Sequence, residues 1–245
     1  MAHFAFTTRM AGQIDKTKPT VNNCNVYKGY LSGSIDLWTK GIAEQEEIYK
    51  IGRRSEDIYV LILSKYGFIS FLIGRKIEYD IMALIISAEA DVGVLATDEK
   101  FSARATAFKG GLIAMRMNLN PLKAITLGMK SLRLIEESIE ADQNNTVGLV
   151  EMGNARFHMP SLAGGSHKEA VLCFSQAVNL FETEKDDSRC SWYYLHALVW
   201  LARSHESTGN VAEAKRIYEK LLSIEPEFQW VKLELYPEFI KKWGS

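Results

Sequence analysis

The sequence predicts an all-α chain: a right-handed solenoid of about four antiparallel helix pairs with a capping helix at the C-terminus. Three observations carry that prediction. Apolar residues recur at helical spacing from Ile35 almost to the end, and no stretch alternates cleanly at period two. Only five prolines punctuate 245 residues, which leaves long helices uninterrupted. Small residues return inside successive helices (Gly67, Gly110, Gly153, Ala202), each followed by an apolar pattern in the next helix. The expected organisation is an N-terminal extension over 1–34, loosely ordered, and a helical repeat domain over 35–245.

Residues 1–34 carry Gly, Asn, Thr, Lys and Pro19 without a sustained period. Met1–Ala11 lacks a continuous apolar core of the length a secretory leader needs. The chain as written therefore reads as soluble and cytoplasmic, or periplasmic if a leader has been removed. Ser55 precedes Glu56 and Asp57 and is expected to cap a helix. The run Ile58–Ile73 is the longest apolar stretch. Ser64, Lys65, Gly67 and Ser70 interrupt it, so a buried helix is expected there rather than a membrane span. Asn120-Pro121 places a cap before a proline at the first helical position. Ser166 to Glu169 has the form of a capping box. Gly209-Asn210 combines a helix stop with the next helix start. These signals divide Ile35–Lys242 into about nine or ten helices, the last at roughly Phe228–Lys242.

The clearest repeat is Leu198-x2-Leu201-Ala202-x2-His205, then Gly209, Ala214-x3-Tyr218, Leu221 and Pro226. Ala202 and Ala214 allow two helices to approach closely, Tyr218 fills the gap to the next pair, and Pro226 ends the second helix. The unit before it is Leu149-x2-Met152-Gly153, then Ala170-x3-Phe174-x2-Ala177, with an insertion in 159–166. Gly110 with Ser131-x3-Ile135-x2-Ser138 forms an earlier unit, and Tyr66-Gly67 with Ile81-x3-Ile85-x2-Ala88 the most degenerate one. The chain resembles tetratricopeptide-repeat proteins over about Ile35–Trp243, most specifically over Leu195–Phe228. Met152-Gly153-Asn154, Met159-Pro160 and Gly164-Gly165-Ser166-His167-Lys168-Glu169-Ala170 also look like a bacterial subgroup similar to the T-component proteins of TRAP-type transporters. The repeat implies a protein or peptide partner, and the narrower resemblance alternatively implies a small organic ligand under the 159–166 loop, with a homo-oligomer compatible with either.

A formal net charge of −1 gives no electrostatic footprint for nucleic acid. Cys24, Cys173 and Cys190 are odd in number and lack C-x-x-C spacing, so three free thiols are expected, with one disulfide left open for an exported chain. The sequence holds no nucleophile elbow, zincin, Walker or dinucleotide motif, so no enzyme activity and no cofactor are expected. His158 and His167 lack a third ligand in the pattern, so no metal is expected either. The expected partner face is the inner side of the first helix of each pair. It comprises His196, Val199, Arg203 and Glu206 in the best unit, Val150, Asn154, Phe157 and His158 before it, and Arg104 and Met115 further back. Trp192, Tyr193, Tyr194 and Trp200 are read as packing between repeats.

Overall fold

The computed structural model describes residues 23–119, 124–183 and 190–244. They form α1 (Cys24–Ser32), α2 (Ile35–Gly52), α3 (Ser55–Arg75), α4 (Ile81–Leu95), α5 (Ser102–Leu119), α6 (Ala124–Ala141), α7 (Thr146–His158), α8 (His167–Thr183), α9 (Trp192–Ser207), α10 (Val211–Ile224) and α11 (Tyr236–Trp243). No strand occurs among the described residues. The pairs α3/α4, α5/α6, α7/α8 and α9/α10 correspond to the four expected units, α11 covers the open end, and α1/α2 precedes the first pair. A π-turn at Val231–Leu235 leads into α11. Pro237 lies in that helix's first turn, where it lacks the N–H that regular bonding to the preceding turn would need.

The expected extension needs correction at its C-terminal end: α1 is part of the folded body. The Asn23 side chain accepts the amides of Asn25 and Val26, as an N-cap should. Its amide also donates to the Gly41 carbonyl at 3.1 Å. A Cβ at Gly41 would come within 2.6 Å of Val26, so this glycine lets α1 and α2 touch backbone to side chain. Nine residues are too few for hydrophobic periodicity to show, which is why the pattern begins only at Ile35. Residues 1–22 and the Asn120-Pro121 cap lie outside the described residues. The expected cap at Ser55 shifts by one residue. Arg54 occupies the cap position without a side-chain cap bond, and its guanidinium instead holds the buried Asp57 carboxylate at 2.7 Å.

The repeat logic holds in three units. Ala202, Ala214, Tyr218 and Leu221 are buried, and Tyr218 packs on Phe239 of the capping helix at a ring distance of 5.3 Å. A Cβ at Gly153 would lie 2.7 Å from the Phe174 ring, so the glycine receives the aromatic of its own partner helix. At Gly110 the neighbours are Ile135 and the Ser131 carbonyl, and the Ser131 hydroxyl donates back to the Gly110 carbonyl at 2.8 Å. Gly67 differs. Its neighbours are Trp192 of α9 and Trp38 of α2, not its partner helix α4.

That difference reflects the position of α3. Its side chains are buried nearly all round, from Asp57 to Leu72. Tyr66 reaches the backbone space beside Gly111 of α5 and bonds to Glu151 of α7, while Gly67 abuts α9. Lys65, only 5% exposed, is neutralised by Glu46 of α2 at 3.1 Å and Asp91 of α4 at 2.8 Å. The inner face expected to be a hollow is therefore occupied over its middle by the chain's own third helix. This helix is long and apolar enough to cross a membrane, and most of it is buried inside the fold.

The N-terminal hairpin also meets the C-terminal unit. Cys24 and Cys190 form a disulfide, which corrects the expectation of three free thiols; Cys173, half-buried in α8, remains reduced. Tyr27 donates to Glu225 at 2.6 Å, Arg75 pairs with Glu234 at 2.7 Å, and the Tyr30 ring lies 5.1 Å from Phe228 and 5.4 Å from Trp192.

Candidate interaction surface

Two neighbouring sites on the inner face carry polar chemistry, one buried and one open. The buried site centres on Glu151 of α7, 4% exposed. Tyr193 of α9 donates to its carboxylate at 3.2 Å, and Tyr66 of α3 and Asn154 also bond to it. Removal from water raises the Glu151 pKa to about 7, and these three hydrogen bonds pull against that rise. The same burial and the nearby Glu151 charge push the Tyr66 and Tyr193 hydroxyls well above the usual phenol range. The group is a structural junction of three helices.

The open site lies where the C-terminal ends of α7 and α9 meet, and α9 runs on from it to the capping helix. The insertion that follows α7 is tightly formed. A short 3₁₀ turn spans Ser161–Ala163, Gly164 sits at φ 95°, and Arg156 donates to the Gly164 carbonyl at 2.9 Å. Ser166 caps α8 through the Glu169 amide, and Glu169 pairs with Arg156 at 2.9 Å. This fixes His167 beside Phe157, at 4.9 Å between ring centres. Phe157 and His158 meet Trp200 of α9 edge-on at 5.0 and 4.7 Å. Arg203, one turn along α9, lays its guanidinium over Trp200 at 4.7 Å and Phe157 at 5.8 Å. No carboxylate among the described residues pairs with it. Partial removal of the His158 ring from water, then the charges of Arg203 and His167, lower the His158 pKa. Beyond Arg203 a cavity of about 220 Å³ opens between α9, α10 and α11, with Glu206, Tyr218, Glu238 and Lys242 on its walls. Glu206 accepts from Lys242 and from the Trp243 indole, both at 3.1 Å.

The ten expected face residues thus divide. Phe157, His158, Arg203 and Glu206 come together on the open surface. Asn154 belongs to the Glu151 junction. His196 lies against Tyr30 of α1, its Nδ1 3.3 Å from the tyrosine hydroxyl, and burial lowers its pKa to about 3. Val150, Val199 and Met115 are buried in the core, where the interior is closed and no partner reaches them. Arg104 stands over the Tyr59 and Phe101 rings, away from the open surface. Trp192 and Tyr193 pack as expected. Sequence reasoning missed Glu151, Tyr30 and the role of Trp200; a lone glutamate amid the apolar residues of a helix was the available signal for the first. Among the described residues, no cluster of three or more His, Cys, Asp or Glu could hold a metal.

The family profile described as Tetratricopeptide repeat matches residues 195–228. This segment is similar to a tetratricopeptide repeat. It spans α9, α10 and the turn to the cap, the same unit whose small residues and aromatic plug are described above. A search of curated proteins finds no match. Among solved structures the fold is similar to TTC0263, a thermophilic TPR protein of Thermus thermophilus, at 13% identity and a TM-score of 0.57, covering 89% of this chain and 97% of that one. At that identity the likeness concerns the fold alone: an all-helical solenoid of tetratricopeptide type.

Proposed function

We propose that the protein is a non-catalytic interaction module that holds a protein or peptide partner at the α7–α9–α11 end of its inner face. The observation that supports this reading most is Arg203, a cation seated on Phe157 and Trp200 with no carboxylate among the described residues pairing it. A cation on an aromatic floor suits an acidic or aromatic side chain of an extended peptide. The adjoining cavity offers acceptors at Glu206 and Glu238 and a donor at Lys242. The middle of the inner face is filled by α3, so the partner contacts this end rather than the whole length of the solenoid. Affinity purification with the wild type and with a Phe157→Ala/Arg203→Ala double variant tests it. Loss of specific partners from the variant is expected, and identical partner sets would count against the surface.

A second reading has the protein exported and associated with transport, binding a small organic ligand near the 159–166 loop. The Cys24–Cys190 disulfide favours it, because such bonds persist in oxidising compartments. Against it, the loop is bound to its own helix end by Arg156. A thermal-shift panel of organic acids separates the two: a shift abolished by Arg156→Ala supports transport association, and no shift with any acid removes it.

A further inference from the structure

The contacts of α1 fall into two sets. On one side it is locked to α2: a Cβ at Gly29 would lie 3.0 Å from the Trp38 backbone, Val26 fills the space at Gly41, and Asn25 donates to Glu44 at 2.7 Å. On the other side it faces the C-terminal unit through two noncovalent features and one covalent bond. The noncovalent ones are the Tyr27–Glu225 hydrogen bond and the Tyr30 ring among Trp192, His196 and Phe228, and the neighbouring α3 adds the exposed Arg75–Glu234 ion pair. The covalent one is Cys24–Cys190, which joins residues 166 apart in the chain. A cross-link over so long a loop removes much of the freedom of the separated state, whereas an exposed ion pair contributes little.

We propose that this disulfide is a redox latch on the seam between α1 and α9. Cys24 is exposed and Cys190 half-buried, so a dithiol reductant can reach the bond. Cys190 is held at φ 63°, in the left-handed region that side chains with a Cβ rarely adopt, and release of its sulfur lets the backbone there relax. In the reducing step a thiolate of the dithiol attacks one sulfur, the Cys24–Cys190 bond breaks, and a mixed disulfide forms. The second thiol of the reductant displaces the remaining cysteine and becomes oxidised. The two electrons and two protons end on Cys24 and Cys190 as thiols. The α1/α2 hairpin keeps its internal lock, the seam opens, and the His196 and Phe228 faces that Tyr30 covers become accessible on the C-terminal unit.

The full chain tests this in two steps. Peptide mapping of air-oxidised protein without reductant is expected to yield the Cys24–Cys190 pair; free thiols at both positions would overturn the proposal. Amide exchange is then compared before and after reduction by dithiothreitol. At least tenfold faster exchange is expected in α1 and the first two turns of α9, with α5–α8 unchanged. Equal exchange in both states would overturn the latch, and so would a uniform rise across all helices, which marks a staple of the whole fold. Cys24→Ser is expected to match the reduced protein without any dithiol, and Cys173→Ser to keep the full response to reduction. The reverse behaviour of either variant contradicts the proposal.

Discussion

The first and last repeat units use the same small-residue pattern for different ends. In α9/α10, Ala202 and Ala214 bring two partner helices together and Tyr218 plugs the joint to the cap. In α3/α4, Gly67 opens space not for α4 but for Trp192 and Trp38, which come from opposite ends of the chain. A small residue in a helix permits close approach without specifying what approaches. The C-terminal unit therefore behaves as an element of a linear array, while the N-terminal one behaves as the core around which the array curls.

Substitutions can break or sharpen that contrast. The largest effect is expected at the joint between the two regions. Trp192→Ala empties a buried site between α1, α3 and α9 and is expected to destabilise by about 3–5 kcal/mol in urea unfolding. Trp200→Ala, on the half-buried open surface, should lose clearly less. An equal loss in the two would contradict the distinction between closed and open parts of the inner face.

Next comes the junction of α3, α7 and α9. The Glu151 pKa is raised from 4.5 to about 7 in the folded protein, so its contribution to stability is present below about pH 4.5 and is lost as the pH rises through about 7. His196 works in the opposite sense. Its pKa is lowered from 6.5 to about 3, so stability is lost as the pH falls from 6.5 towards 3. Because the two overlap, the difference between Glu151→Gln and the wild type isolates the carboxylate. The variant is expected to be more stable by about 2–3 kcal/mol at pH 8 and near wild type at pH 4.5. A difference that does not grow between those pH values would show that Glu151 is not held in a desolvated site.

Gly67→Val drives new atoms into Trp192 and Trp38 and is expected to destabilise by about 1–3 kcal/mol, read as a lower urea midpoint. Gly93→Ala, in α4, meets nothing within 4 Å and should stabilise by about 0.5–1 kcal/mol through helix propensity alone. Arg203→Ala should change stability by less than about 0.5 kcal/mol while removing partner binding, which separates the open surface from the closed seam.

The helices, the four units and the aromatic plugs were legible in the sequence because periodicity and small-residue spacing are local quantities. Ala202, Gly153 and Gly110 could be placed from their own neighbours in sequence. The position of α3 was not legible, since Gly67 meets Trp192, well over a hundred positions away, as well as Trp38. The same applies to Val150 and Val199. Both are buried in the core among residues from distant parts of the chain. The Cys24–Cys190 pairing is likewise a long-range event that cysteine spacing cannot encode. The open surface was half legible: Phe157, His158, Arg203 and Glu206 sit at the ends of their helices, beyond the reach of α3.

The occupation of the inner face by α3 is tested most directly by native-state amide exchange resolved along the chain. The account predicts that the amides of Val60–Leu72 exchange as slowly as any in the molecule, only through global unfolding, and far more slowly than those of α4 and α6. Exchange of that stretch at the rate of α4, with α5, α7 and α9 still protected, would show that the solenoid stands without α3 in its trough.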